Sequence, residues 1–175
     1  MKIRKAEKRD FSSVMTLYEH ARLFMAQNGN GSQWGTSYPP KELVENDIAD
    51  GKSYVCLDGE KIVSVFYFAV ENEPTYESIS GAWLNDLPYG VVHRIASDGM
   101  TKGAGTFCIK WAFDQCKNLK IDTHSDNKPM QNLLEKLGFF RCGTIIIADG
   151  TERIAFQKEE NKQRTEVPPR NRKQD

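Results

Sequence analysis

The run Met100-Thr101-Lys102-Gly103-Ala104-Gly105-Thr106 follows an apolar, β-branched segment, Val91 to Ala96, and precedes an amphipathic one. Strand, glycine turn and helix in that order make a phosphate cradle. The glycines let the backbone turn and approach a ligand, the amides point outward, and the helix N-terminus carries partial positive charge. Lys102 can add a cation beside them. Spacing narrows the ligand. The Gly-x-x-x-x-Gly-Lys-Ser/Thr pattern of a nucleotide P-loop is missing, and Cys108 stands where Gly-x-Gly-x-x-Gly needs its third glycine. ATP and NAD are disfavoured. The turn by itself also fits a plain helix cap with no ligand.

A second strand and helix follow. Leu119 to Thr123 alternates in polarity, and a helix from about Asn127 spaces Met130, Leu133, Leu134 and Leu137 at i, i+3, i+4 and i+7 before Gly138-Phe139 closes it. Together the two units resemble the GNAT superfamily, the GCN5-related N-acetyltransferases. That family holds the pyrophosphate of coenzyme A on a turn written Gln/Arg-x-x-Gly-x-Gly/Ala, which residues 100–105 match except for Met100 in place of Gln or Arg. Asp126-Asn127-Lys128-Pro129-Met130, with Gly138-Phe139, is similar to the second cofactor motif. The resemblance covers about residues 1–157. It implies acetyl-coenzyme A as co-substrate, with Ile95, Ala96, Met100, Lys102, Gly103, Ala104, Gly105, Thr106 and Asn127 as cofactor-binding residues and no metal. Backbone N–H groups near Ile95 and Ala96 would meet developing oxyanion charge. The implied reaction is direct attack by a primary amine, of a small molecule or a peptide, in a ternary complex.

Such an amine must be neutral to attack. A lysine-like amine has a pKa of about 10.4 and is mostly protonated at neutral pH, so a general base is worth about 10²–10⁴-fold. His93, on the strand that leads into the turn, is the candidate, at a position where arylalkylamine-type acetyltransferases also carry a histidine. The alternative is a strand histidine satisfied beside the core. His124 is read as ordering its turn, and His20 has no assigned role. Many GNAT enzymes protonate the leaving thiolate with a tyrosine where this chain has Leu134; Tyr67, Tyr76 and Tyr89 are the substitutes to consider. Met100 and Leu134 keep a second reading open, an acyl-coenzyme A-binding or sensor module without turnover.

The acceptor is expected between two segments. Gln33, Trp34 and Tyr38 lie after the first helix, and Tyr76 and Trp83 lie in the long polar stretch from Glu71 to Gly90. A Gln-Trp followed by Tyr-Pro resembles an uncharacterised bacterial subgroup of the family. Aromatic walls suit an apolar or cationic acceptor; otherwise the tryptophans pin loops to the core. Glu71 and Glu73 could attract an amine or simply be solvated.

The elements that must position these residues fit one domain. The chain has 175 residues, with 24 basic and 24 acidic side chains. A net charge of zero disfavours nucleic acid, including tRNA, and anionic membranes. The apolar run Ile62 to Val70 is too short to span a bilayer, and Met-Lys-Ile-Arg-Lys is not followed by a signal core. Cys56, Cys108, Cys116 and Cys142 are scattered, so a reducing, cytoplasmic setting is expected, without a disulfide framework or an acyl-carrying cysteine. A homodimer is compatible with the sequence. The order of elements and the resemblance together imply an α/β (α+β) GNAT fold, a mixed, mostly antiparallel sheet of about six to seven strands with about four helices. Asp10 is expected to cap the first helix, which buries Val14, Leu17, Tyr18, Ala21, Phe24 and Met25. Residues 1–157 form the domain, and the charged tail 158–175 is expected to be disordered.

Overall fold

The computed structural model describes residues 1–160. In chain order the elements are β1 (Lys2–Lys5), α1 (Phe11–Gln27), α2 (Lys41–Ala49), β2 (Ser53–Asp58), β3 (Lys61–Val70), β4 (Ile79–Gly81), β5 (Gly90–Ser97), α3 (Ala104–Cys116), β6 (Asn118–Thr123), α4 (Lys128–Lys136), β7 (Phe140–Ile146) and β8 (Glu152–Glu159). The strands form one eight-stranded sheet in the order β1-β2-β3-β5-β6-β8-β7-β4. Only the β5–β6 pair is parallel. This is the mixed, mostly antiparallel sheet with four α-helices that the order of elements and the resemblance imply.

Strand alternation sorts the core into two faces. Cys56, Phe66, Val92, Leu119, Ile121 and Phe156 face α3 and α4. On the other face Val55, Val65 and Ala96 pack under α1 and α2. Further along that face, Tyr67, Val91 and Ala155 pack under Tyr76 and Tyr89 from the 71–90 segment. Two separate covers on one face leave a gap between them, and the site lies in it.

The register opens the sheet at that gap. β5 and β6 pair only at Gly90↔Leu119 and Val91↔Lys120, although both strands continue. On its other side β5 pairs with β3 at Tyr67↔His93 and Val65↔Ala96, so Arg94 and Ile95 stand opposite Phe66 alone. This is a bulge, which bends a strand and increases its twist. Arg94 carries φ +50° there, in the left-handed region that non-glycine residues seldom adopt.

Several expectations are corrected. Asp10 stands at the start of α1 without capping it. Its carboxylate instead accepts from Arg4 Nη1 and Nη2 at 2.5 and 3.0 Å and from the Glu7 amide at 2.8 Å, because a 3-10 turn at Lys8–Asp10 precedes the helix. Phe24 is half exposed and borders the cleft. The 71–90 stretch contains a 3-10 turn, Pro74–Tyr76, and the extra strand β4. β4 escapes pattern reading because it has three residues and approaches β7 through Gly81 and Gly143; a Cβ on Gly81 would lie 2.2 Å from the Cys142 carbonyl oxygen. Lys120, in the polar-alternating β6, is buried beneath the rings of Trp83 and Tyr89 at 4.2 and 3.8 Å from their centroids. Lys158 and Glu159 belong to β8, and Lys158 Nζ donates to the Leu137 carbonyl at 2.7 Å. The rest of the expected tail, 161–175, lies outside the described residues.

Candidate active site

Where β5 and β6 part, a cleft of about 980 Å³ opens. Its floor is β5 from Val92 to Ser97 and β6 from Ile121 to Thr123. One wall is α1 with the Gln33–Tyr38 loop, and another is the first turn of α4 with the β7–β8 hairpin.

At one end lies the glycine turn. Asp98 shapes it: Oδ1 accepts from the amides of Met100 and Thr101 at 3.0 and 2.9 Å, while Oδ2 takes the Thr101 hydroxyl at 3.1 Å and Lys61 Nζ at 2.9 Å. Burial works against the Asp98 charge, but these donors outweigh it and hold the carboxyl at about 2. Gly103 is the N-cap of α3 with φ +82°, a conformation that costs other L-residues strain. The amides of Gly105 and Thr106 have no backbone acceptor, as the first turn of a helix requires. Ser97, Asp98, Gly99 and Gly105 line the cleft. Met100 is 81% exposed and Lys102 is exposed, so both stand outward from the turn.

Asn127 closes the cleft from α4. Its Oδ1 accepts from the Met130 amide at 3.2 Å as the helix cap, and its Nδ2 donates to Gln33 Oε1 at 3.1 Å. The same Gln33 oxygen accepts from Asn30 Nδ2 at 2.7 Å. Gln33 thus ties the α1–α2 loop to a helix 94 positions later. Met130 and Leu133 border the cleft, while Leu134 is fully buried under the sheet. Next to them the Thr123 hydroxyl oxygen is buried without a protein partner. An orphaned oxygen in the cleft wall and unpartnered amides at its rim are donors and acceptors suited to an extended polar molecule such as coenzyme A.

His93 stands on the floor, 20% exposed, on the face covered by the 71–90 segment. Its Nε2 is 3.2 Å from Glu73 Oε2, and its Nδ1 is 3.7 Å from Asp122 Oδ1. The His93 hydrogen bond, helped by Thr75, holds the Glu73 carboxyl at about 2 against the opposing effect of burial. Asp122 also accepts from the Tyr76 hydroxyl at 2.7 Å. Burial, then the Asp122 charge, raise the Tyr76 phenol well above its ordinary value. Arg94 pairs with Asp47 at 2.8 Å and lies 4.6 Å from the Tyr67 ring centroid, both ionic groups being almost fully covered.

Of the residues expected at the acceptor site, Gln33, Trp34 and Tyr38 line the cleft. Tyr76 and Trp83 stand behind it: Trp83 Nε1 donates to the Tyr76 carbonyl at 2.9 Å and their rings lie 5.2 Å apart. They pin the 71–90 segment and support His93 from below. None of the three substitute acids borders the cleft. Tyr76 donates to Asp122, Tyr67 donates to Glu71, and the Tyr89 hydroxyl accepts from the Glu73 amide at 3.1 Å. Tyr38 is the tyrosine that borders the cleft, beside the Arg94 guanidinium. His124 Nδ1 accepts from the Asp126 amide at 3.2 Å, and His20 borders the cleft from α1.

Asp122, Arg94, Thr123 and Arg153 were not singled out from sequence. For Asp122 a signal existed, since strand alternation puts it on the face of its strand opposite Leu119 and Ile121. For Arg94 there was none, because a bulge needs partner strands to be seen. Among the described residues no group of His, Cys, Asp and Glu is placed to hold a metal ion, and no helix is long and apolar enough to cross a membrane.

No protein-family model and no curated protein matches this sequence. Solved structures do. A GNAT-family acetyltransferase from Streptococcus agalactiae superposes with a TM-score of 0.83 at 29% identity, over 92% of this chain and 96% of that one. A candidate acetyltransferase from Staphylococcus aureus gives 0.68 at 25% identity, over 91% and 99%. A Salmonella typhimurium protein solved with its cofactor acetyl-coenzyme A shares the fold, with a TM-score of 0.62 at 13% identity over 95% and 98%.

Proposed function

The chain belongs to the GNAT superfamily of acyltransferases, and we propose that it moves an acetyl group from acetyl-coenzyme A to a primary amine of a small molecule or peptide. The observation that carries this reading is the parting of β5 and β6 beside an amide-lined turn, with His93 on the floor between them.

When bound, acetyl-coenzyme A supplies an activated thioester and a leaving thiolate whose thiol pKa is about 8.5. The amides of Gly105 and Thr106, at the positive end of α3, would hold its pyrophosphate. The Thr123 hydroxyl and Asn127 would meet the polar arm. The bulge at Arg94 and Ile95 removes one residue from the β3 ladder, which would leave the Ile95 amide to meet developing oxyanion charge.

His93 takes the proton from the attacking amine. Glu73 fixes the ring by accepting from Nε2–H, so Nδ1 is the proton acceptor, and the imidazolium that results lies between Glu73 and Asp122. Tyr38 supplies the proton to the thiolate, being the phenol that borders the cleft. Direct attack is favoured over an acyl-cysteine because Cys108 is fully buried in the core and burial pushes its thiol up to about 12.

A second reading, acyl-coenzyme A binding without turnover, draws support from Leu134, which is buried where many relatives carry the acid. Calorimetry with acetyl-coenzyme A and a free-thiol assay over a panel of amines separate the two. Binding with amine-dependent thiol release supports the transferase. Binding without release supports the sensor, and no binding removes both.

A further inference from the structure

Arg153, at the start of β8, is 5% exposed and borders the cleft. Its Nη1 donates to the Thr151 hydroxyl at 2.7 Å and to the Glu152 carbonyl at 3.1 Å. No carboxylate of the described residues lies within 4.0 Å of its guanidinium. The nearby Asp149 carboxylate accepts the amide and hydroxyl of Thr151 at Oδ1 and feels the Arg153 charge without a direct contact. Among the described residues Arg153 thus hydrogen-bonds neutral groups only, and a buried cation is normally paired at contact distance. Arg94, the other buried guanidinium of the cleft, shows the usual solution, with Asp47 against it at 2.8 Å.

Its place in the sheet gives the missing partner. Arg153 pairs with Ile145, and Asp122 pairs with Ala155, two residues from Arg153 and on the same face. His93 faces that side too, across from Tyr67. His93, Asp122 and Arg153 therefore form a row on β5, β6 and β8. One end is acidic, with Glu73 and Asp122 around the imidazole; the other is cationic. Asp122 and Arg153 are diagonal neighbours about 7–8 Å apart, and His93 lies one strand further across the parted β5–β6 seam, so the acceptor and the long Arg153 side chain bridge the row together.

Building on the acetyl-transfer reading, we propose that the acceptor is zwitterionic, an amine with a carboxylate on the same molecule, and that Arg153 holds the carboxylate while the amine meets His93. Arg153 is a specificity-determining residue, because a guanidinium receives a carboxylate through two parallel hydrogen bonds.

The test compares amino acids with their decarboxylated amines, beginning with phenylalanine and phenethylamine. Wild-type protein is expected to prefer the carboxylate-bearing member by about 10- to 100-fold in kcat/KM, the range of a charge-assisted hydrogen bond. Arg153→Gln should bring that ratio near one, chiefly through KM for the amino acid. Arg153→Lys should restore part of it. The coenzyme A Kd of both variants should stay within about twofold of wild type. Equal turnover of both members by wild-type protein overturns the proposal and leaves the transferase standing. A weakened coenzyme A Kd in Arg153→Gln also overturns it, by assigning the guanidinium to the cofactor. Absence of coenzyme A binding by wild-type protein overturns the transferase reading and this proposal with it.

Discussion

His93 and Glu73 are hydrogen-bonded side chain to side chain, Nε2 to Oε2 at 3.2 Å, across 20 residues of sequence. Glu73 in turn caps the 3-10 turn that follows it, accepting from the Thr75 amide and hydroxyl at 3.2 and 2.8 Å. One carboxylate therefore both holds the imidazole and anchors the segment that covers it.

Replacing His93 with alanine should lower kcat/KM at pH 7 by about 10²–10⁴-fold, the usual worth of a positioned base. The deficit should shrink as pH rises toward the pKa of the amine, about 10.4 for a lysine-like acceptor, because the neutral nucleophile then forms unaided. A pH–rate profile of variant and wild type checks this. A parallel pair of profiles, or no loss at pH 7, removes His93 from the base role.

Glu73 also sets an acid limit. Its folded-state pKa of about 2 lies below the ordinary glutamate value of 4.5, chiefly through the His93 hydrogen bond. A depressed carboxyl contributes stability that is complete above the unfolded value and is lost as pH falls through the folded one. Wild type should therefore lose stability between about pH 4.5 and pH 2. Glu73→Gln should melt below wild type at pH 7, and the Tm gap should narrow across that window. A constant gap down to pH 2 would falsify the linkage.

Arg94→Ala should destabilise the fold by about 3–5 kcal/mol in urea titrations, since it strands Asp47 in a buried site. Burial already raises the Asp47 carboxyl despite the Arg94 charge. The double variant Asp47→Asn with Arg94→Met should cost less than the sum of the single changes. Strict additivity would show that the pair is not coupled.

The two glycines of the turn should part company. Gly103 has φ +82°, so Gly103→Ala should cost about 1–2 kcal/mol of stability and weaken coenzyme A binding. Gly105 is helical, and a methyl group there meets nothing nearer than 3.8 Å. Gly105→Ala should keep or raise stability, by up to about 1 kcal/mol. Chemical denaturation and calorimetry on both variants report the contrast; equal losses at the two positions contradict it.

Much of this architecture is legible before any fold is known, because it is encoded locally. The turn from Met100 to Thr106 combines glycines with a helix start, hydrophobic period marks α3 and α4, and apolar, β-branched runs joined at Asp58-Gly59 mark the β2–β3 hairpin. Motif spacing disfavours ATP and NAD in the same way, and the resemblance of residues 100–105 and 126–139 to the GNAT motifs is what points to coenzyme A. The cleft wall at Gln33, Trp34 and Tyr38 is legible through the family resemblance, which puts the acceptor beside the segment after the first helix.

What the tertiary structure decided depends on contacts between distant segments. The bulge at Arg94 exists only where β5 meets β3, and the parting of β5 from β6 only through that bend. Tyr76 and Trp83 are ordinary loop aromatics in the sequence; packing under the segment puts them behind His93 instead of in the cleft. Likewise a lone Glu73, Asp122 or Arg153 reads as one charge among many. β5, β6 and β8 side by side set Asp122 and Arg153 in a row with His93, and the 71–90 segment lays Glu73 over its acidic end, because a charge acquires its chemistry from what surrounds it, and those surroundings are assembled only when the sheet forms.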